Sequence, residues 1–199
     1  MKSAHKSGLL ALAAVGLPAT AYAHTAIGEA AGLVHGFSHP ISGLDHVLAM
    51  IMVGIFASQL GGRAIWLVPA TFVLAMALGG AFGIASIDIP FVETGIALSV
   101  VVLGAVVAFN VKAPAAVAMA VAGLFAIFHG HAHGAEMPES AAGAAFAAGF
   151  MIATALLHTA GLGLGYAIGR TGKRRSFIAT RLAGGFAAFA GVGILTGMI

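Results

Sequence analysis

Long apolar runs alternate with short polar connections along most of the chain. After a mixed N-terminal region, six apolar runs follow one another, and each is close to the ~20 residues that a helix needs to cross a bilayer. The pattern therefore predicts an all-α membrane protein. Its expected architecture is a six-helix transmembrane bundle with the helices Ile41–Leu60, Ala64–Ala85, Phe91–Phe109, Ala113–His129, Ala141–Ile168 and Phe177–Ile199.

The first 23 residues have the pattern of a secretory signal peptide. A basic start precedes a short apolar core, and Ala21-Tyr22-Ala23 matches the A-x-A cleavage pattern. A first transmembrane helix is the alternative, but the apolar run is short and Pro18 ends it. We expect cleavage after residues 1–23, which leaves residues 24–199 as a single transmembrane helical domain. His24 would then be the new N-terminus, and its free amine and imidazole could chelate a metal.

A short segment separates the cleavage pattern from the first apolar run. Thr25–Ser38 is mixed in polarity, and we interpret it as a short helix or a re-entrant piece at the outer surface. Proline is tolerated in the first turn of a helix, and serine is a frequent N-cap. Pro40 is therefore expected to open the first transmembrane helix, with Ser38 as its cap.

Basic residues occur only in alternate connections between the predicted helices. The first, third and fifth connections carry Arg63, Lys112 and the group from Arg170 to Arg175, whereas the second carries Asp88 and the fourth carries histidines and glutamates. Connections rich in Lys and Arg remain in the cytoplasm. The pattern predicts a bacterial-type inner (cytoplasmic) membrane protein whose mature N- and C-termini lie outside, in the periplasm.

The composition excludes several classes of protein. Only 8% of the residues are charged and 60% are hydrophobic, whereas a soluble domain has about 25% charged residues. The chain has no cysteine, so a metal would need imidazole, carboxylate, thioether or backbone ligands. Topology explains the net charge of +3, so we expect the lipid bilayer as a partner and no nucleic acid. Without a G-x-x-x-x-G-K-[ST] loop the chain is not an ATPase.

Four ionisable residues gather where the first predicted membrane helix begins: His35, His39, Asp45 and His46. Such groups are costly beside hydrocarbon and therefore indicate function, and imidazole and carboxylate groups bind divalent metals. On a continuous helix the three histidines would share one face, although Pro40 interrupts the register. Asp45 points elsewhere, as a second ligand or as an orienting group. A purely structural pair of Asp45 with His46 is the alternative.

A second histidine cluster lies in Phe128–Pro138, FHGHAHGAEMP. In an extended chain His129, His131 and His133 would project to one side, whereas in a helix His129, His133 and Glu136 would do so. Either geometry brings three nitrogen or oxygen ligands together, and a histidine-rich tract is typical of metal binding. The alternative is a solvated surface loop.

Three further residues are weaker candidates. Met50 lies one turn after His46 and could be a thioether ligand or a packing residue, and Glu93 could be an interfacial charge. His158 lies well inside its apolar run, where no water is available unless a polar path exists. At 1.5 Å per residue, His46 is expected about 8 Å and His158 about 25 Å into their helices. With His129–His133 at the outer surface, the ligands would form a descending series.

The two histidine motifs resemble those of the HupE/UreJ family. The matches are H-P-x-x-G-x-D-H at His39–His46 followed by Met50, and H-G-H-A-H-G-A-E-M-P at His129–Pro138, with support from Glu93 and Ser99. The resemblance covers essentially the whole mature chain. It implies a nickel/cobalt permease associated with hydrogenase and urease maturation.

The resemblance also implies a set of ligands for a transported Ni²⁺ or Co²⁺ ion. The strong candidates are His39, Asp45, His46, His129, His131 and His133, and the residues Met50, Glu93 and His158 carry over more weakly. The residues alone add His24, His35 and Glu136 as further weak candidates.

We therefore expect a secondary transporter for divalent transition-metal ions, with no enzymatic activity and no permanent cofactor. One alternative is an intramembrane metal-dependent hydrolase, in which histidines and an aspartate hold a zinc-bound water. The spread of the ligands along a path favours the permease. A metal-binding accessory or sensor subunit is the other alternative. The preferred metal, the coupling ion and a homo-oligomeric state are left open.

Overall fold

The structure is a computed structural model, and it describes residues 20–137 and 142–199. Within these ranges every regular element is a helix. The seven helices are α1 Thr20–Ser42, α2 Leu44–Leu60, α3 Ala64–Ile84, α4 Val92–Ala108, α5 Ala115–Ala135, α6 Ala142–Gly169 and α7 Lys173–Leu195. The all-α prediction is confirmed for the described part of the chain.

Each of the six predicted apolar runs corresponds to one helix, from α2 to α7. Three helix ends differ from the prediction by four residues or more, one of them the end of α7 at Leu195 rather than Ile199. Helix α5, which corresponds to the fourth predicted run, does not end at His129 but continues to Ala135. The second histidine cluster is therefore helical rather than part of a connection. The last helix begins four residues early, at Lys173, directly after Gly172 with φ +89°. Apolar runs mark the part of a helix that lies in hydrocarbon, whereas the backbone can remain helical beyond it.

Four helices, α3, α5, α6 and α7, are long and apolar enough to cross a membrane. A fifth span exists if α2 is joined with the bent end of α1, whereas α4 is a shorter apolar helix of 17 residues. At 1.5 Å per residue α4 is about 26 Å long, slightly less than the roughly 30 Å hydrocarbon core. The described part of the chain is thus a multi-pass membrane protein, and the count of six spans stays a prediction.

The region around Pro40 differs from the sequence-based prediction. Pro40 does not open α2 but lies near the end of α1, and the Ser38 hydroxyl donates to the His35 carbonyl inside that helix. The break falls at Gly43, which is extended, and α2 leaves it bent by 80° from the end of α1. A proline in the last turn removes only one helical hydrogen bond, so α1 tolerates it.

Residues 1–19 of the predicted signal peptide lie outside the described residues. The last four residues of that segment form the start of α1, and His24 follows them in the same helix. Cleavage after Ala23 therefore stays a prediction.

The helices present two chemically different ends. Arg63, Lys112 and Lys173 lie in or beside the connections α2–α3, α4–α5 and α6–α7, and we call this end of the bundle the basic end. The opposite end holds the junction of α1 with α2 and the last turns of α5. Both histidine motifs occur there, and we call it the histidine end.

Glycines bring α3 and α5 close together beside the second histidine motif. A Cβ added to Gly130 would collide with the Met76 carbonyl oxygen, and one added to Gly134 would collide with the Gly80 carbonyl oxygen. These glycines therefore permit the close packing of α3 on α5. The contact fixes the rotation of α5 and hence the direction of its histidines.

Helix α6 contacts two helices in succession. Its first turns lie against α1, where Gly36 packs on the Phe146 backbone, and its later turns lie against α2, where Gly161 packs on the Ile51 carbonyl. Gly165, four residues later, also packs on α2, so these two small residues form a close helix contact. Because α1 covers the start of α6, that helix reaches the level of α2 only after several turns.

Candidate metal-ion site

Three histidines meet inside the bundle at the histidine end. His46 of α2 and His129 and His133 of α5 each offer one ring nitrogen, and these atoms all lie within 4.8 Å of one another. His46 and His129 are only 1% and 0% exposed, and their Nδ1 atoms are 3.2 Å apart. We call this group the inner site.

The helical form of the second motif selects which of its histidines meet. Residues four apart lie on one face of a helix, so His129 and His133 face the bundle together. His131 projects away from them, and its Nε2 lies 2.8 Å from the carbonyl oxygen of Ile87. His131 is therefore not among the converging side chains, which is the outcome of the helical alternative and not of the extended one.

A second group adjoins the inner site and shares His133 with it. His39, His133 and Glu136 also offer ligand atoms within 4.8 Å of one another, and the rings of His39 and His133 are 4.9 Å apart. The His39 and Glu136 side chains are 30% and 67% exposed and approach to 3.7 Å. We call this group the outer site, because its side chains are more exposed than those of the inner site.

Two buried hydroxyl groups lie against the Nε2 atoms of His129 and His46. The Ser99 hydroxyl donates to the Ile96 carbonyl at 2.6 Å, so it accepts from His129 Nε2 at 2.9 Å. The Thr154 hydroxyl lies 3.3 Å from His46 Nε2 and 3.9 Å from Met76 Sδ, so it can accept from this nitrogen or donate to it. A neutral imidazole with hydrogen on Nε2 has a bare Nδ1.

His129 therefore presents a bare Nδ1 to His46 Nδ1 at 3.2 Å, where it accepts a hydrogen bond when His46 carries its hydrogen on Nδ1. When the His46 hydrogen is on Nε2 instead, both Nδ1 lone pairs are available to a cation. Adjacent ligands about 2.0–2.1 Å from a metal are roughly 3.0–3.4 Å apart, so this spacing fits a metal that binds both Nδ1 atoms. The two hydroxyl groups occupy the positions in which outer partners orient the histidines of metal sites.

Aromatic rings line the site and exclude water from it. The Phe150 ring lies 5.0 Å from the His46 ring and 4.5 Å from the His133 ring. Phe72 is fully buried, and its ring lies 5.9 Å from His129. In this setting polar groups interact more strongly than in water.

His158 lies much closer to the inner site than the sequence suggested. It is one helical turn beyond Thr154, which contacts His46, and one turn is about 5.4 Å. The sequence-based separation in depth between His46 and His158 was too large because the first turns of α6 lie beside α1. Helix α2 begins only at the level of the later turns of α6. His158 is 1% exposed and packs on Phe72 at 5.1 Å. Neither of its ring nitrogens has a hydrogen-bond partner among the described residues.

The remaining candidates lie around the two sites rather than in them. Asp45 belongs to neither group, and its Oδ1 accepts the backbone N–H of His46 at 2.7 Å. Met50 is fully buried in the apolar core, and Glu93 is exposed at the start of α4. His35 is exposed and contacts the rings of His39 and Phe146. The His24 side chain lies outside the described residues.

The expected common face of His35, His39 and His46 does not form. The 80° bend between α1 and α2 separates His46 from His35 and His39, whose rings remain in contact on α1. His39 and His46 are brought together instead through His133, which contacts both rings.

Sequence reasoning missed Thr154 and Phe72, and it noted Ser99 only as a motif match. Thr154 had a usable signal, because it is polar inside an apolar run and lies one turn before His158. No signal in the sequence marked Phe72, because it is one apolar residue among many in α3.

In its fold and its site, the described part of the chain is an all-helical, multi-pass membrane protein with a buried histidine cluster at one end. The chain belongs to the HupE/UreJ family, since residues 11–194 match the family described as HupE / UreJ protein. It is similar to Protein HupE of Rhizobium leguminosarum bv. viciae, with 50% identity over 186 residues that cover 94% of this chain and 95% of that protein. No solved structure gives a significant match. The resemblance predicted from the motifs is confirmed.

Proposed function

We propose that this protein is a secondary transporter for divalent transition-metal ions. Its substrate would be Ni²⁺, with Co²⁺ as the alternative, and the metal would supply hydrogenase or urease maturation. The observation that carries the proposal is the convergence of His46, His129 and His133, with the buried Nδ1 atoms of His46 and His129 3.2 Å apart. Imidazole is a suitable ligand for nickel, and buried ionisable residues in membrane helices mark ion paths.

The two sites suggest how an ion would move inwards. An ion bound at the outer site by His39, His133 and Glu136 can pass to His46 and His129 while His133 remains bound, because His133 belongs to both groups. Conduction needs several sites of moderate strength rather than one strong site. His158, one turn further towards the basic end, is the next ligand in the proposed path.

Metal selectivity would come from geometry. Affinity alone favours Cu²⁺ over Ni²⁺ at most nitrogen sites, so three imidazoles by themselves do not select nickel. The packed rings of Phe150 and Phe72 limit how far the ligands can adjust, and this rigidity is the proposed source of discrimination.

The orientation in the membrane is part of the same proposal. We infer a cleaved signal peptide, six membrane spans and an inner-membrane location with periplasmic termini. The grouping of Arg63, Lys112 and Lys173 at one end supports this, because basic connections remain in the cytoplasm. The outer site would then open to the periplasm, and the metal would be substrate rather than a permanent cofactor.

The compact inner site keeps a metal-dependent hydrolase in consideration. The sequence favoured a permease because its ligands were expected to be spread along a path, whereas three of them converge within 4.8 Å. A hydrolase would retain its metal and use an open coordination position for water. The adjoining outer site favours transport, because a second site that shares a ligand is useful for passing an ion onward.

Uptake of Ni²⁺ into liposomes that contain only this protein tests the proposal, with Co²⁺ and Zn²⁺ as competitors. We expect saturable uptake that His133→Ala abolishes, because this change removes a ligand of both sites. The matched control is His131→Ala, which removes an imidazole of the same motif that contacts Ile87 instead. No uptake by the purified protein would favour an accessory or sensor subunit. Equal loss in both variants would reject the site.

A further inference from the structure

A polar cavity lies at the basic end, remote from the histidines. Its volume is about 480 Å³, and it lies between the ends of α2, α4 and α6 and the start of α7. The transport path proposed above makes no use of it.

Three cationic side chains line this cavity: Lys112, Lys173 and Arg181. Among the residues described around it, none is acidic. Membrane topology explains why basic residues occur at this end, but it does not require that cations from two separate segments line one cavity. Uncompensated positive charge around a cavity favours an anionic occupant.

Contacts within the protein hold two of these cations in place. The Lys112 Nζ donates to the Gln59 carbonyl oxygen at 2.7 Å, which leaves two of its three hydrogens for a ligand. The Arg181 guanidinium lies 4.2 Å from the centre of the Phe177 ring, a cation–π contact that leaves its in-plane N–H groups available. A preformed arrangement lowers the entropic cost of binding.

The surroundings of the cavity fit a lipid rather than a free ion. Phe109 and Phe177, which line it, are 72% and 55% exposed. Aromatic side chains beside Lys and Arg are typical of the membrane interface. Basic pockets between transmembrane helices are known to bind phospholipid head groups.

We propose that this cavity binds the phosphate group of an acidic phospholipid in the leaflet at the basic end. The cations would contact the phosphate oxygens, and the exposed phenylalanines would contact the upper part of the acyl chains. The proposal is independent of the transported metal, so it can fail or succeed without affecting the proposed function.

The test is native mass spectrometry of the full-length protein in detergent, titrated with phosphatidylglycerol or phosphatidylcholine. The wild-type protein should retain phosphatidylglycerol in preference. Each cation near an anionic lipid contributes about a fivefold change in affinity, so Lys112→Gln with Arg181→Gln should weaken binding roughly 30-fold. Lys112→Arg keeps the charge and should retain the lipid.

The matched control is Arg63→Gln with Arg170→Gln, which removes the same charge at the same end from residues that do not line the cavity. Equal weakening in both double variants would overturn the proposal, because the attraction would then be general. Binding of inorganic phosphate to the lipid-free protein, lost in the Lys112 and Arg181 variant, would identify a soluble anion as the occupant and overturn the lipid assignment.

Discussion

Replacing Ser99 with alanine tests how the inner site is prepared for metal. Ser99 is fully buried, and its oxygen is the acceptor for His129 Nε2 at 2.9 Å. Without it, this N–H has no acceptor, and the ring favours the other tautomer, with hydrogen on Nδ1. The nitrogen that faces His46 is then blocked, so Ni²⁺ binding must first move that hydrogen.

Two lines of reasoning give the size of the effect. Loss of the outer partner of a metal-binding histidine typically lowers affinity 10–100-fold. A buried N–H left without an acceptor costs about 1–3 kcal/mol, and this free energy corresponds to a similar range of change in Ni²⁺ affinity. Because both Ser99 and His129 are 0% exposed, water has little access to replace the hydroxyl. We therefore expect a loss of roughly 30–100-fold in Ni²⁺ affinity, towards the upper end of that range.

Equilibrium dialysis of the purified protein against Ni²⁺ measures this affinity, and liposome uptake gives the half-saturating concentration. The control is Thr180→Val, which also removes a buried hydroxyl that donates to carbonyl oxygens of its own helix, far from the histidines. If Ser99→Ala changes the affinity by no more than this control does, the hydroxyl does not orient His129. Ser99→Thr keeps the hydroxyl and should retain most of the affinity.

Three further predictions concern the path, the topology and the N-terminus. His158→Ala should lower the maximal uptake rate more than it raises the half-saturating Ni²⁺ concentration, because His158 lies beyond the capture sites; an unchanged rate removes it from the path. A cysteine introduced at Ala135 should react with a reagent that cannot cross the membrane when added from the periplasmic side, and labelling only after the inner face is opened would reverse the topology. Intact mass of the membrane-extracted protein should match a chain that starts at His24, whereas a mass retaining residues 1–23 would exclude cleavage.

The sequence was most informative where the bilayer dictates the pattern. Hydrocarbon requires helices of about 20 apolar residues, so the six runs located α2 to α7. The same rule says nothing about a helix once it leaves the hydrocarbon, which is why α5 was ended six residues early at His129. The bend at Gly43 was missed for a related reason, since Pro40 is the stronger break signal in sequence although the chain turns three residues later.

The candidate site was predictable in its residue types but not in its grouping. Helical spacing correctly offered His129 with His133 as one of two possible sets. That His46 joins them depends on the rotation of α5, which the contacts of Gly130 with α3 determine. Such contacts between distant segments leave no periodic signal in a single sequence. For the same reason the sequence left open whether Asp45 is a ligand or an orienting group, and in the structure its carboxylate accepts the His46 backbone N–H.

The most direct test of the central claim is X-ray absorption spectroscopy of Ni²⁺ bound to the purified, full-length protein. The inner site predicts a nickel ion bound by three imidazoles, those of His46, His129 and His133. The His46→Ala variant should show one imidazole fewer together with weaker binding. A nickel site without imidazole ligands, or one with the same spectrum in the variant, would contradict the account.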